Sequence, residues 1–399
     1  MYIMKQYSLW IVYLIVFINM LGYGIVLPLL PYYIEQFGAG PIIIGCISAT
    51  YSLFQLVAAP IMGELSDKYG RRPILLISVA GTAISFFMIA LARSIPMIFL
   101  ARVIDGVSGG NISTSQAYIA DKTTKQDRTK RMGEMSAAFN LGLFLGPAVG
   151  GILSKYGYAV PLFAAGIAAS ITTILTLFFL PESLRNKGVA PLSAILKKKK
   201  TFNPRDFYDV MLRPQVGTVL MTSFLMMFAY SLLQGTLALF TEHELHFSSA
   251  TNGMIFAYLA LVGIFVQIFV FKTLLNKMSE HKATLLSVLC MAVGFALLAM
   301  SKNTVLLFLS MTLLGFGYSV SVPMINGLVS KLTPDNEQGN IAGVNQSMTS
   351  LARLIAPVVG TAIFAKLGTT SPYITAALIL IILWKFSPRI KLSFFKTSS

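Results

Sequence analysis

The chain has 399 residues, of which 55% are hydrophobic and only 12% charged, with a formal charge of +16, whereas soluble domains carry roughly 25% charged residues. Two cysteines, Cys46 and Cys290, lie in separate apolar runs without a CxxC spacing, and His243 and His246 have no third ligand beside them. A disulfide framework, a zinc site and an iron–sulfur site are therefore excluded, and no cofactor is expected.

Four runs, Gln6 to Ile34, Gln36 to Gly63, Pro214 to Thr241 and Asn303 to Ser330, contain no Asp, Glu, Lys or Arg. Each is longer than the roughly 20 apolar residues that cross a bilayer as a helix. The first is about twice as long as the apolar part of a signal peptide and no small-residue cleavage site follows it, so it is expected to stay in the mature chain. Apolar patterning predicts twelve membrane helices, at 8–34, 42–64, 73–92, 96–120, 132–154, 160–180, 214–240, 250–272, 283–300, 304–330, 340–365 and 369–386.

The basic residues sort by side. With the amino terminus on the cytoplasmic side, 25 of the 31 Lys and Arg fall on that side and 4 on the other, with Arg102 and Arg353 inside helices. The positive-inside rule then places both termini in the cytoplasm and the protein in the cell inner membrane. The basic excess marks topology and gives no reason to expect nucleic acid.

The longest polar interval, Arg185 to Arg213, contains the run Lys197 to Lys200. That run suits either anionic lipid headgroups or a solvated linker that reinforces orientation. It divides the chain into a six-helix bundle at 1–184, a basic linker at 185–213 and a second bundle at 214–399. A shift of 210 positions lays Pro147 on Pro357, Gly150 on Gly360, Gly133 on Gly343, Asp127 on Glu337 and the Arg71-Arg72 pair on His281-Lys282. Two repeated bundles related by an axis along the membrane normal are the plan of transporters that rock one bundle against the other.

Between the second and third helices the sequence runs from Gly63 through Asp67 and Gly70 to Arg71, Arg72 and Leu75. It resembles the loop signature of the major facilitator superfamily, G-x-L-x-D-x-x-G-R-[RK]-x-x-L, at every fixed position. The glycines permit a tight turn and a close helix approach, and Asp67 offers an acceptor to arginines or to a helix N-terminus. The whole is expected to latch the cytoplasmic faces of the bundles.

In the fourth helix, Arg102 to Gly106 resembles the same superfamily's R-x-x-x-G motif. Arg102, Asp105, Gly109, Ser113 and Gln116 recur at steps of three or four, which places them on one helical face that must point into the protein. Burial and a neighbouring guanidinium pull the protonation of Asp105 in opposite directions, so the group is either a titrating acid or a permanently ionised structural partner of Arg102. The family more often has an uncharged residue at this position.

In the fifth helix, Gly142, Gly146, Pro147, Gly150 and Gly151 match the antiporter motif G-x-x-x-G-P-x-x-G-G. Glycines four apart allow close backbone approach and the proline bends the helix. By resemblance this motif separates drug–proton exporters from uptake symporters, and the likeness spans nearly the whole chain. Tetracycline exporters of the family carry an acid in the first helix where Asn19 stands here. That departure points to lipophilic or cationic drugs over metal-chelated tetracycline.

Candidate cavity residues are Asn19, Tyr23, Ser113, Gln116, Tyr230, Gln234, Tyr318, Asn326 and Asn345, with 19 methionines and 28 phenylalanines available around them. They suit a soft apolar pocket with sparse polar handles. The expected protein is an all-α, twelve-helix secondary transporter, a monomer and not an enzyme, that exchanges protons for an amphipathic compound with Arg102 and Asp105 as the coupling pair. Export or flipping of a lipid-linked or metabolic substrate is the alternative within transport, and a non-transporting membrane receptor or scaffold the alternative outside it.

Overall fold

A computed structural model describes residues 2–183, 210–333 and 337–386. The run Lys197 to Lys200 and the rest of the expected linker up to residue 209 lie outside the described residues, as do residues 387–399.

The described residues form helices joined by short turns. In the first half these are α1 (Tyr2–Glu35), α2 (Pro41–Tyr69), α3 (Arg71–Ala90), α4 (Ile95–Ser108), α5 (Asn111–Lys122), α6 (Lys125–Ser154) and α7 (Ala159–Phe179). In the second half they are α8 (Pro214–Leu245), α9 (Ser249–Phe265), α10 (Phe271–Lys277), α11 (Glu280–Ala299), α12 (Thr304–Lys331), α13 (Gln338–Leu367) and α14 (Ser371–Phe386). Counted as crossings they make twelve. Ile95–Lys122 is one span broken at Gly109-Gly110, and Ser249–Leu274 is another that passes through a π-helical turn at Val266–Val270. Eleven spans are long and apolar enough to cross a membrane. The last, α14, has 16 residues, about 24 Å at 1.5 Å per residue.

Side chains are distributed as lipid demands. On α3, Ser78, Thr82 and Ser85 are buried while Ile77 and Ile84 are exposed. The same division runs along α4 and α5, with Arg102, Asp105, Ser108, Asn111, Thr114 and Ser115 inside and Leu100 outside. Lipid chains solvate isoleucine and leucine as well as a protein core does, so association of the helices depends on packing and on interhelical hydrogen bonds.

Two compact units emerge from this packing. The first lies within Met1–Lys199 together with Phe247–Ala257, the second within Lys200–His246 and Tyr258–Ser399. The first turns of α9 thus belong with the first unit, a division different from a cut at the linker alone. The reason is visible at Gly151, where an added Cβ would lie 2.8 Å from the Gly253 Cα and 2.9 Å from the Ala250 carbonyl oxygen. Ser154 Oγ also meets Ser249 Oγ at 2.9 Å.

Within the first unit α1 and α6 pack along the glycine series. A Cβ at Gly142 would collide with the Phe17 carbonyl, and one at Gly146 with the Leu21 carbonyl. One at Gly150 would lie 3.0 Å from the Ile25 carbonyl oxygen. From the other side, Gly24 admits the Pro147 ring, whose Cδ would stand 2.8 Å from a Cβ there. The motif is therefore a backbone-to-backbone seam.

Candidate functional site: a buried ion pair and a capped helix turn

The stretch from Gly63 to Leu75 is helical on both sides of a single residue, which corrects the expected loop. Helix α2 continues to Tyr69, and Gly70 alone turns the chain with φ of 106° before α3 starts at Arg71. Only glycine takes that φ without strain. A Cβ at Gly70 would also lie 2.5 Å from the Glu182 Oε2. Gly63 stays inside α2, where an added Cβ would lie 3.7 Å from Ser113 Oγ.

Glu182 explains the tight turn. Its carboxylate accepts from the backbone N–H groups of Arg71 at 2.9 Å, Arg72 at 3.1 Å and Ser183 at 2.8 Å. An anion thus sits where α3 leaves its first N–H groups unpaired and where its dipole favours negative charge. Asp67, expected to accept from arginines or from a helix N-terminus, takes the first role: it binds Arg71 Nη2 at 2.5 Å and is itself 64% exposed. The spacing of the motif contains nothing that points to Glu182. The available signal is an acid directly after Pro181, where α7 must stop.

Arg71 is the centre of this turn. Besides Asp67, its Nε donates to Asp121 Oδ2 at 3.2 Å and its Nη1 to Ser66 Oγ at 2.6 Å. Ser183 Oγ donates to the same Asp121 oxygen at 3.1 Å. Arg72 turns the other way, and its Nη2 donates to the Leu177 carbonyl. The ends of α2, α5 and α7 and the start of α3 are thereby tied through one guanidinium and one carboxylate.

Inside the membrane span, Arg102 Nη1 meets Asp105 Oδ2 at 2.5 Å, with the two side chains 2% and 5% exposed. Two charges in so apolar a place persist only by neutralising each other. The Ser85 hydroxyl of α3 lies near Asp105 and donates to the Thr82 carbonyl at 2.8 Å. The Tyr51 ring of α2 lies 5.2 Å from the Arg102 guanidinium carbon. Tyr51 in turn accepts from Gln55 Nε2 at 3.0 Å, and the Tyr23 ring of α1 stands 5.1 Å from it. Tyr51, Gln55 and Ser85 escape motif reading; the signal for them is a polar pair four residues apart in an uncharged helix, and a serine phased with Ser78 and Thr82.

The expected stripe along the fourth helix breaks at Gly109-Gly110. That turn ends α4 at Ser108 and restarts the helix at Asn111, so the polar residues buried beyond it are Asn111, Thr114 and Ser115. Ser113 instead donates to the Ala59 carbonyl of α2 at 3.0 Å, and Gln116 is exposed.

The remaining candidates form local pairs. Asn19 is 5% exposed and its amide nitrogen has no partner among the described residues. In the second unit the Tyr230 and Tyr318 rings are stacked at 3.6 Å and 5°, and Asn345 Nδ2 donates to Asn326 Oδ1 at 3.3 Å. Gln234 is half-buried.

Known proteins resemble the chain over most of its length. The family model described as Major Facilitator Superfamily matches residues 12–357 and 219–393. The tetracycline resistance protein, class C, of Escherichia coli is 30% identical over 88% of both chains. Multidrug resistance protein 1 of Bacillus subtilis (strain 168) is 27% identical over 98% of this chain and 99% of its own. Among solved structures, the nucleoside transporter NupG aligns over 96% of this chain and 98% of its own with a TM-score of 0.77 at 14% identity. The human organic anion transporter MFSD10 aligns over 96% and 99% with a TM-score of 0.70 at 24% identity. Twelve helical crossings, the signature turn at Gly70, the glycine seam of α6 and a match over most of the length all agree: this chain belongs to the Major Facilitator Superfamily.

Proposed function

We propose that the protein exports lipophilic or cationic drugs in exchange for protons, alternating access between its two six-helix halves, with Arg102 and Asp105 as the coupling pair. The observation that carries this is the ion pair buried in α4. A carboxylate and a guanidinium withdrawn from water balance each other closely, so a change in either partner's surroundings shifts the proton on Asp105. Relatives named for tetracycline and multidrug resistance support the direction and the substrate class. Asn19, in place of the acid at that position in tetracycline exporters, favours lipophilic compounds over a metal chelate.

The charge distribution supports cytoplasmic termini in the cell inner membrane. On that topology the Gly63 to Arg72 turn lies on the cytoplasmic side, where Asp67, Arg71 and Arg72 act as a latch. Recognition rests on apolar burial. At roughly 25 cal/mol per Å² of apolar area, a few hundred Å² of drug surface supplies several kcal/mol without a charge pair. Asn19 and Tyr23 within the first unit, and Tyr230, Gln234, Tyr318, Asn326 and Asn345 within the second, are the candidates for polar and aromatic contacts, while Ser113, bonded to the Ala59 carbonyl, and the exposed Gln116 lie off the buried stripe.

Purified protein in liposomes tests this directly. Addition of a lipophilic drug to protonated protein should release protons, and a pH gradient should drive uptake against the drug gradient. No proton release with any hydrophobic dye, together with a strict need for a phosphate or sugar headgroup, would favour export of a lipid-linked or metabolic substrate. Absence of any transport would favour a receptor or scaffold.

A further inference from the structure

We infer that Tyr23 and Tyr51 are the substrate-sensing end of the coupling site. In this arrangement, an aromatic substrate with a hydrogen-bond acceptor seats against Tyr23 and Asn19 and acts on Asp105 through Tyr51 and Arg102. The inference rests on Asp105 being the coupling acid, and it adds the substrate subsite and the route by which occupancy reaches that acid.

Tyr51 is fixed in place from several sides. It is 4% exposed, its hydroxyl is held by Gln55, and Gln55 Nε2 also donates to the Gly109 carbonyl at 3.3 Å. Two glycines of the fourth span make room for it. A Cβ at Gly106 would lie 2.6 Å from the Tyr51 carbonyl oxygen, and one at Gly109 would lie 2.9 Å from its hydroxyl. The ring therefore cannot shift without disturbing the turn of helix that carries Asp105.

Arg102 depends on that ring. Its Nη1 is on Asp105, its Nε is buried without a hydrogen-bond partner among the described residues, and the Tyr51 ring lies within cation–π range of the guanidinium. The groups acting on Asp105 are few. On its own helix α4 there is Arg102; α3 places Ser85 nearby with its hydroxyl on the Thr82 carbonyl, and α2 places the Tyr51 ring behind the guanidinium. Any displacement of Arg102 is thus felt by the carboxylate without a competing charge to absorb it.

Tyr23 supplies the accessible end. It is half-buried, tilted by 33° against Tyr51, and one helical turn from Asn19, so both side chains share a face of α1. Asn19 offers a buried amide N–H with no partner among the described residues. An unpaired buried donor beside an aromatic face is suited to a planar ligand with a carbonyl. When such a ligand seats on Tyr23, the Tyr51 ring holds the Arg102 guanidinium on Asp105 as in this structure, and the proton that the Asp105 carboxyl carries when it is not paired with Arg102 passes to water. Linkage requires the reverse effect as well, so protonation of Asp105 weakens ligand binding.

Doxorubicin, a planar aromatic with quinone carbonyls, is the probe. With purified wild-type protein its addition should release protons, and its affinity should weaken in mildly acidic buffer. Tyr51→Leu and Tyr23→Leu should each lose roughly fivefold or more of the probe-driven proton release, the lower end of measured couplings, and flatten the pH dependence of affinity. Tyr51→Phe, which keeps the ring, should restore most of both. Size-exclusion chromatography checks folding; if Tyr51→Leu fails to fold, Tyr23→Leu, at the half-buried end, decides the matter. Wild-type release in the leucine variants, with none in Asp105→Asn, overturns the aromatic route and leaves Asp105 as the coupling acid. Undiminished release in Asp105→Asn overturns both. Wild-type protein that does not bind doxorubicin overturns the subsite.

Discussion

In the first half of the chain Tyr51, Gln55, Ser85, Arg102 and Asp105 form one polar cluster, whereas 210 positions further on stand Leu261, Phe265, Phe295, Thr312 and Gly315. The helices repeat and the ionisable chemistry does not. In the second half Thr312 shares a 2.7 Å hydrogen bond with Tyr258. Gly315 lets α9 approach so closely that a Cβ would lie 3.1 Å from the Leu259 carbonyl oxygen. A buried charge pair is costly to hold in an apolar span and is retained where it does something. The duplicated scaffold thus supplies crossings in both halves and a buried ion pair at this position in one.

The helix ends differ in the same way. Arg71 is nearly buried between Asp67 and Asp121. Within one residue of the corresponding offset, Glu280 and Lys331 pair at 2.8 Å with the lysine 64% exposed. One junction is an enclosed network, the other a surface ion pair.

The largest expected effect comes from making the first half like the second at its centre. Asp105→Asn should abolish proton-driven export while drug binding or downhill exchange persists, because an amide cannot titrate. Vesicle uptake with and without a pH gradient measures this, and full coupling in the variant would dissolve the contrast between the halves.

Next come the glycine seams. At Gly150 an added methyl meets the Ile25 backbone, with its oxygen at 3.0 Å and its Cα at 3.1 Å. At Gly360 it meets the side chains of Leu232 and Thr236, at 3.0 Å and 3.2 Å. Backbone cannot yield as side chains can, so Gly150→Ala should cost about 1–2 kcal/mol. Gly360→Ala should be near neutral, since the helix propensity of alanine offsets the crowding. Thermal unfolding of the two variants in detergent compares them, and equal losses would mean that the two seams are packed alike.

Of comparable size is the difference at the helix ends. Asp121→Asn takes a charged partner from a mostly buried guanidinium and should destabilise by about 1–3 kcal/mol. Lys331→Met removes an exposed pair and should cost no more than about 0.5 kcal/mol. The same melting measurement applies, with a reversed order counting against an enclosed network at Arg71.

The smallest effect on stability is expected at Asp67. Because the carboxylate is exposed and only four residues from Arg71, Asp67→Asn should change stability by about 0.3–0.5 kcal/mol. Export should nevertheless slow if the turn acts as a latch, through a coupling of roughly 1–3 kcal/mol between closed and open states. Cysteine-accessibility labelling of the loops reports that equilibrium, and an unaltered pattern with an unaltered rate would remove Asp67 from gating.

The class, the twelve crossings and the two glycine motifs were legible in the residues alone. These depend on composition and spacing, which lipid reads locally: an uncharged run long enough to span the membrane leaves the backbone no option but helix. Gly70 and the series Gly142, Gly146 and Gly150 were legible for a similar reason, since only glycine serves there. Which groups meet was not legible in the residues alone. The length of the turn at Gly70, the capping of α3 by Glu182 from 111 residues away, the re-phasing of α5 and the ring of Tyr51 behind Arg102 all depend on helices distant in sequence lying side by side. No periodicity within one helix encodes the register of its neighbour, because that register is set by how backbones and side chains interlock across the contact.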